Sequence, residues 1–132
     1  MAEFTLHPTL MADCHVLGTL ELSQVLLHRN ASVPWFILVP EVEVIELCDL
    51  SAMERAALHA EIDTLSARLR EDFPITKLNV AAIGNLVPQL HVHVIGRHET
   101  DPCWPDVVWG NLPDGPTWPE SKVKELKRSL SL

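Results

Sequence analysis

Basic residues are scarce in this chain: 10 Lys and Arg stand against 18 Asp and Glu in 132 residues, a formal charge of −8 with His neutral. A domain of pI about 5.2 offers no electrostatic footprint to a nucleic-acid polymer or to an anionic lipid surface, so neither is an expected partner. An anionic ligand must be held by local donors against the overall field. Long hydrophobic runs are missing as well. The longest, Val33 to Pro40, is about eight residues, less than half of what a membrane span requires. The opening Met1-Ala2-Glu3-Phe4-Thr5 has an acid where a secretory signal needs positive charge, so a cytoplasmic location is expected. Cysteine is limited to Cys14, Cys48 and Cys103, an odd and widely spaced set with no C-x-x-C metal knuckle and no even disulfide framework. These three are expected to be buried small apolar side chains in a reducing compartment. Internal repeats and low-complexity tracts are also absent.

The composition that remains, 47% hydrophobic and 21% charged, is ordinary globular usage, and the length is that of one domain. Half of the ten prolines fall between Pro102 and Pro119, which makes the 101–132 segment an irregular, Pro/Trp-rich extension. A loop carrying Trp104, Trp109 and Trp118 must bury that area, either over a pocket or against a second subunit. Upstream, Gln24 to Arg29 and Trp35 to Val39 read as strands joined by the turn residues Asn30-Ala31-Ser32 into an antiparallel hairpin. The second is apolar at every position and suits a central strand covered on both faces. Ser51 and Glu54 have capping-box spacing. Leu58, Ile62, Leu65, Leu69 and Phe73 then form one apolar helical stripe that ends at Pro74. His59, Asp63, Ser66 and Arg70 lie on a solvated face. Lys77 to Ile83 and Leu90 to Ile95 read as two further strands, and a short helix is predicted from Pro119 to about Leu130. Meander-like strands with one long helix indicate an α+β fold with an antiparallel sheet.

The chemistry concentrates in Gln89-Leu90-His91-Val92-His93-Val94-Ile95-Gly96-Arg97. Side chains alternate faces along a strand, so Gln89, His91, His93, Ile95 and Arg97 share one face, and Leu90, Val92 and Val94 the core face. Two imidazoles therefore stand side by side, roughly 7 Å apart at Cα. With 7 histidines in 132 residues a His-x-His pair alone is weak evidence; its weight comes from the alternating apolar frame, the preceding Gly84-Asn85-Leu86-Val87-Pro88 turn, and Asn79 one strand earlier. Arg97 reads as a solvated strand end, and His7, His15, His59 and His98 as surface residues.

Gln89 to Ile95 resembles the His-φ-His-φ-His-φ-φ signature (φ apolar) of the histidine triad (HIT) superfamily, with Gln at the first triad place, as in a small bacterial branch. The Gln24–Pro40 strand–turn–strand is similar to the pair that walls the family's nucleoside pocket, and the resemblance covers a core of residues 4–110 within a single domain of residues 1–132. It implies a HIT-like α+β protomer, with about five antiparallel strands, one long helix and a short C-terminal helix, paired as a homodimer. It also implies hydrolysis or transfer at the α-phosphate of a nucleoside phosphoramidate, phosphoester or dinucleoside polyphosphate through a nucleotidyl-histidine, with no metal ion or cofactor. Carried over residue by residue, His91 is the nucleophile, with His93 and Gln89 as its catalytic neighbours. Asn79 or Asn85 donates to the phosphate, His28 stands in the place of a ribose-contacting Asn, and Phe36 occupies the place of a ribose-side residue. A neutral, nucleophilic imidazole needs one ring nitrogen pinned by an acceptor, and a second His two residues on penalises double protonation. Two other readings remain open at this point: a mononucleotide-binding module without turnover, and a small metal-binding protein using His91 and His93.

Overall fold

The computed structural model describes residues 3–132; Met1 and Ala2 of the opening stretch lie outside the described residues. The chain runs α1 (Pro8–Asp13), β1 (Cys14–Thr19), β2 (Ser23–His28), β3 (Trp35–Pro40), a 3₁₀ turn (Leu47–Asp49), α2 (Ala52–Asp72), β4 (Lys77–Ala81), β5 (Val92–Arg97) and α3 (Glu120–Ser129). The five strands form one antiparallel sheet in the order β1-β2-β3-β5-β4. The uniformly apolar strand is indeed the central one, and all six of its residues are buried.

Alternation along β3 and β5 divides the core in two. Phe36 and Leu38 of β3, with Val92 and Val94 of β5, face Leu58, Leu65 and Leu69 of α2 and Leu126 of α3. Trp35, Ile37 and Val39, with Ile95, face the other way, where Leu6, Leu10 and Cys14 from the N-terminal segment and Cys103 and Val108 from the 98–112 segment close over them. Helix α2 starts where its sequence says it should. Ser51 Oγ accepts from the Glu54 amide at 3.1 Å, and Glu54 Oε1 accepts from the Ser51 amide at 2.9 Å. This reciprocal cap satisfies two of the helix's orphan donors. An unforeseen buried acid also ties α2 to the sheet: Glu61, 5% exposed, accepts the Leu22 amide at 2.8 Å through Oε2.

Two elements are additions to the sequence reading, and two expectations need correction. Strand β1 and the short helix α1 were not legible, although they supply one edge of the sheet and a wall of the cavity described below. Arg97 is not a solvated strand end: its side chain is 2% exposed and paired with Asp101. Cys14 and Cys103 are buried, but Cys48 is exposed, because it sits in the 3₁₀ turn outside both cores. All three thiols are free.

Candidate functional site

Strand β5 begins at Val92, one residue after His91, and its alternation puts His91 and His93 on the face away from α2. Their ring centroids are 4.9 Å apart and tilted by 74°. Each residue is 6% exposed. Both line a cavity of about 430 Å³ whose other walls are α1 with Cys14, His28 of β2, Trp35 and Ile37 of β3, the 83–87 turn, and Trp109. The walls are mostly apolar, and no Lys or Arg lines them among the described residues. Gly84, at φ +72°, makes the turn that lays Gly84 to Val87 along the mouth; a left-handed backbone there favours glycine.

Hydrogen-bond inventory fixes the tautomer of each ring. The Gln89 carbonyl oxygen lies 2.7 Å from His91 Nδ1. A carbonyl can only accept, so Nδ1 carries the proton and Nε2 is left with a lone pair. The Trp35 indole N–H donates to His93 Nδ1 at 3.0 Å. An indole can only donate, so neutral His93 carries its proton on Nε2. His28 Nδ1 accepts the Asn30 amide at 3.1 Å, which makes neutral His28 an Nε2–H donor in turn. The cavity therefore holds one imidazole lone pair and two imidazole N–H donors, arranged about a space large enough for a small organic ligand.

Burial keeps two of these rings neutral. It pushes His93 down from 6.5 to about 3, with the neighbouring His91 and then His28 adding like-charge repulsion. Burial also lowers His28, partly offset by Asp13. Cys14, on the same wall, is pushed up to about 12 by burial and by Asp13, so it is a neutral thiol and no competing nucleophile. The depressed His93 has a consequence for stability. Above the free-imidazole value of 6.5 folded and unfolded chains agree; below it the unfolded chain takes up a proton that folded His93 refuses. Stability is therefore lost as pH falls from 6.5 towards 3, by about 2 kcal/mol at pH 5 from this ring alone. Urea unfolding at pH 7 and pH 5 is expected to show the lower midpoint at pH 5, with a smaller drop in His93→Gln; equal drops in the two proteins would contradict the assignment.

The other sequence-derived candidates divide. Asn85 and His28 line the cavity with His91 and His93. Gln89 does not share their face, because the chain bends there, three residues before β5, and its side chain turns to the N-terminal segment. Its Oε1 accepts the His7 amide at 2.8 Å and its Nε2 donates to the Thr5 carbonyl at 2.9 Å; only its main-chain carbonyl reaches the site. Phe36 is on the opposite face, 1% exposed and packed in the core under α2; its neighbours Trp35 and Ile37 are the ones that wall the cavity. Asn79 pairs with Ile95 in the β4–β5 ladder, but its Oδ1 accepts from Arg97 Nη1 at 3.0 Å and it does not line the cavity.

Sequence reasoning missed Trp35, read only as a strand residue, and the α1 wall. Of the three tail tryptophans, Trp109 covers the cavity, with its ring 4.9 Å from His93 and 6.1 Å from Trp35. Trp104 packs on Arg97, and Trp118 donates to the His28 carbonyl at 2.9 Å. Among the described residues no group of three or more His, Cys, Asp or Glu is disposed to hold a metal ion. No helix there is long and apolar enough to cross a membrane.

A family model described as the HIT domain matches residues 9–100. A histidine triad protein from Bradyrhizobium japonicum superposes with a TM-score of 0.89 at 40% identity, over 97% of this chain and 96% of that one. A histidine triad (HIT) protein from Sinorhizobium meliloti 1021 gives 0.89 at 38%, over 97% and 95%. A histidine triad protein from Marinobacter aquaeolei VT8 gives 0.88 at 42%, over 98% and 94%. Among curated proteins nothing matches. Nucleotide-binding proteins, hydrolases and transferases make up the HIT family, and this chain belongs to it.

Proposed function

We propose that the protein is a nucleotide hydrolase or transferase that acts at the α-phosphate of a nucleoside phosphoramidate, phosphoester or dinucleoside polyphosphate, with His91 as nucleophile. The observation that carries this reading is the 2.7 Å contact between His91 Nδ1 and the Gln89 carbonyl, which leaves the Nε2 lone pair of a neutral ring beside the cavity. In the first step that lone pair attacks the α-phosphorus and an N–P bond forms. The bond from phosphorus to the leaving group breaks, and its electron pair departs with the leaving group. In the second step water attacks the phosphorus, the N–P bond breaks with its pair returning to Nε2, and the proton of water passes to solvent. Catalysis is then positioning plus stabilisation of charge on the phosphoryl oxygens.

In this reading His93 Nε2–H donates to a phosphoryl oxygen and His28 Nε2–H to the nucleotide. Asn85 and the backbone N–H groups of the 84–88 turn complete the phosphate cradle. Gln89 contributes its carbonyl rather than its amide side chain. This explains how a triad with Gln in first place keeps a competent nucleophile: any residue type offers that carbonyl. The apolar walls of Ile37, Trp35 and Trp109 suit a base and ribose. The same reading includes a cytoplasmic homodimer. The homodimer is supported by β4 lying at a sheet edge with Val80 47% exposed, and sedimentation at micromolar concentration tests it.

The chemical test is a quenched reaction. The protein is mixed with an adenosine phosphoramidate, and separately with a dinucleoside polyphosphate, then denatured and analysed by peptide mass spectrometry. A nucleotidyl adduct on His91, with release of nucleoside monophosphate, is the expected result. Saturable mononucleotide binding with neither adduct nor turnover would replace this reading with that of a binding module. Tight retention of a metal ion, lost with His93→Ala, would replace it with metal binding.

A further inference from the structure

The indole N–H of Trp35 is aimed at the ring of His93, not at the cavity, and nothing in the transfer chemistry above requires that. We propose that Trp35 is a positioning residue that locks His93 as a fixed Nε2–H hydrogen-bond donor, so that His93 serves the phosphoryl group without acting as a proton shuttle. The proposal rests on reading the cavity as a phosphoryl-transfer site.

The indole donates to His93 Nδ1 at 3.0 Å and has no acceptor to offer in exchange. Protonating His93 at Nδ1, or moving its proton there, would set two N–H groups against each other at that distance, in a place where Trp35 is 7% and His93 6% exposed. A buried donor without an acceptor costs about 1–3 kcal/mol, so both the cation and the other tautomer are disfavoured. The indole cannot turn away to relieve the clash. His28 stacks on it at 4.0 Å with 8° between the planes, and His28 is itself pinned by the Asn30 amide. Trp109 packs its edge or face against both Trp35 and His93. The support therefore runs from the β2–β3 turn through His28 to Trp35 and on to His93.

The titratable groups around His93 reinforce the lock. His91 lies 4.9 Å away on β5, His28 comes from β2, and the Cys14 thiol from β1 is kept neutral by burial. Asp13, at the end of α1, is the one carboxylate among the residues lining the cavity. The imidazoles and burial oppose a charge on His93, and Asp13 does not figure among the groups that act on it. A proton for the leaving group then comes from solvent.

Long-range nitrogen–proton spectra of protein labelled with ¹⁵N-histidine test this directly. In the native protein His93 is expected to show a bare Nδ1 and a protonated Nε2, without titration from pH 8 to 4.5. In Trp35→Phe the ring is expected to average over both tautomers and to titrate at least about one pH unit higher, and the acid limb of kcat/KM gains a component that moves with it, whatever the height of the profile. A native His93 that carries its proton on Nδ1, or titrates near 6.5, overturns the proposal, and so does a Trp35→Phe protein whose His93 spectra and pH profile match the native ones. Where that variant does not fold, the native spectra alone decide. Absence of a nucleotidyl adduct on His91 would remove the phosphoryl-transfer reading and leave these ring spectra unchanged, so the two failures are distinguishable.

Discussion

Replacing His91 by alanine is expected to lower kcat for nucleoside monophosphate release by at least about 10⁴-fold, the scale on which a covalent nucleophile is missed. The ring does two things that no neighbour duplicates. Its Nε2 is the one imidazole lone pair left beside the cavity once the Gln89 carbonyl has taken Nδ1–H, and the other two rings, His28 and His93, have their lone pairs occupied by the Asn30 amide and the Trp35 indole. Cys14 cannot substitute, because its thiol is pushed up to about 12. His91→Ala should keep the fold, since the cavity beside the ring lets water replace it; matched thermal melts and retained mononucleotide binding check this. Turnover within tenfold of native in a folded His91→Ala protein would eliminate the nucleophile assignment.

The second large effect is on stability. Arg97→Met is expected to destabilise the protein by about 3–5 kcal/mol, or about 10–20 °C in Tm for a domain of this size. The guanidinium is buried, and each of its three nitrogens donates a hydrogen bond. Its Nε and Nη2 donate to Asp101 at 2.7 and 3.0 Å, and its Nη1 donates to Asn79 at 3.0 Å, while its charge lies 5.7 Å from the centre of the Trp104 ring. Asp101 also accepts the amides of His98 and Cys103. Burial alone would raise its carboxyl, but Arg97 and these amides hold it below the usual range. Removing the cation strands a carboxylate whose side chain is 6% exposed. It also loosens the 98–112 segment that carries Trp109 over the cavity. A double Arg97→Met, Asp101→Leu protein should recover a large part of the loss, because the unpaired charge, not the missing pair, is what costs most. Thermal and urea unfolding of the three variants measure this; an Arg97→Met protein within 1 kcal/mol of native would refute the clamp.

What could be read from the sequence follows from where its patterns are strict. Polar–apolar alternation from Leu90 to Ile95 has period 2, so the shared face of His91 and His93 was legible, as was the α2 cap from Ser51 and Glu54. The chain bends at Gln89, three residues before β5, so the alternation does not extend back to it and the expected shared face failed there. Trp35 to Val39 is apolar throughout, which identified a central strand but could not tell its two faces apart, so nothing in the strand itself checked the resemblance that put Phe36 at the pocket where Trp35 stands. Strand β1 hid because a register shift between Val16 and Gly18 breaks its alternation, and α1 because its six residues are capped by His7 rather than by a preferred N-cap type. Arg97 looked like any charged strand end, since its partner Asp101 lies beyond the turn that follows β5 and no local pattern links them.

The central claim is that phosphorus is attacked twice, first by His91 and then by water. A nucleoside phosphoramidate made chiral at phosphorus with sulfur, hydrolysed in ¹⁸O-labelled water, reports the number of displacements. Two in-line attacks give a product with retained configuration, which is the result expected here. Inversion would mean that water attacks directly and that His91 forms no bond to phosphorus.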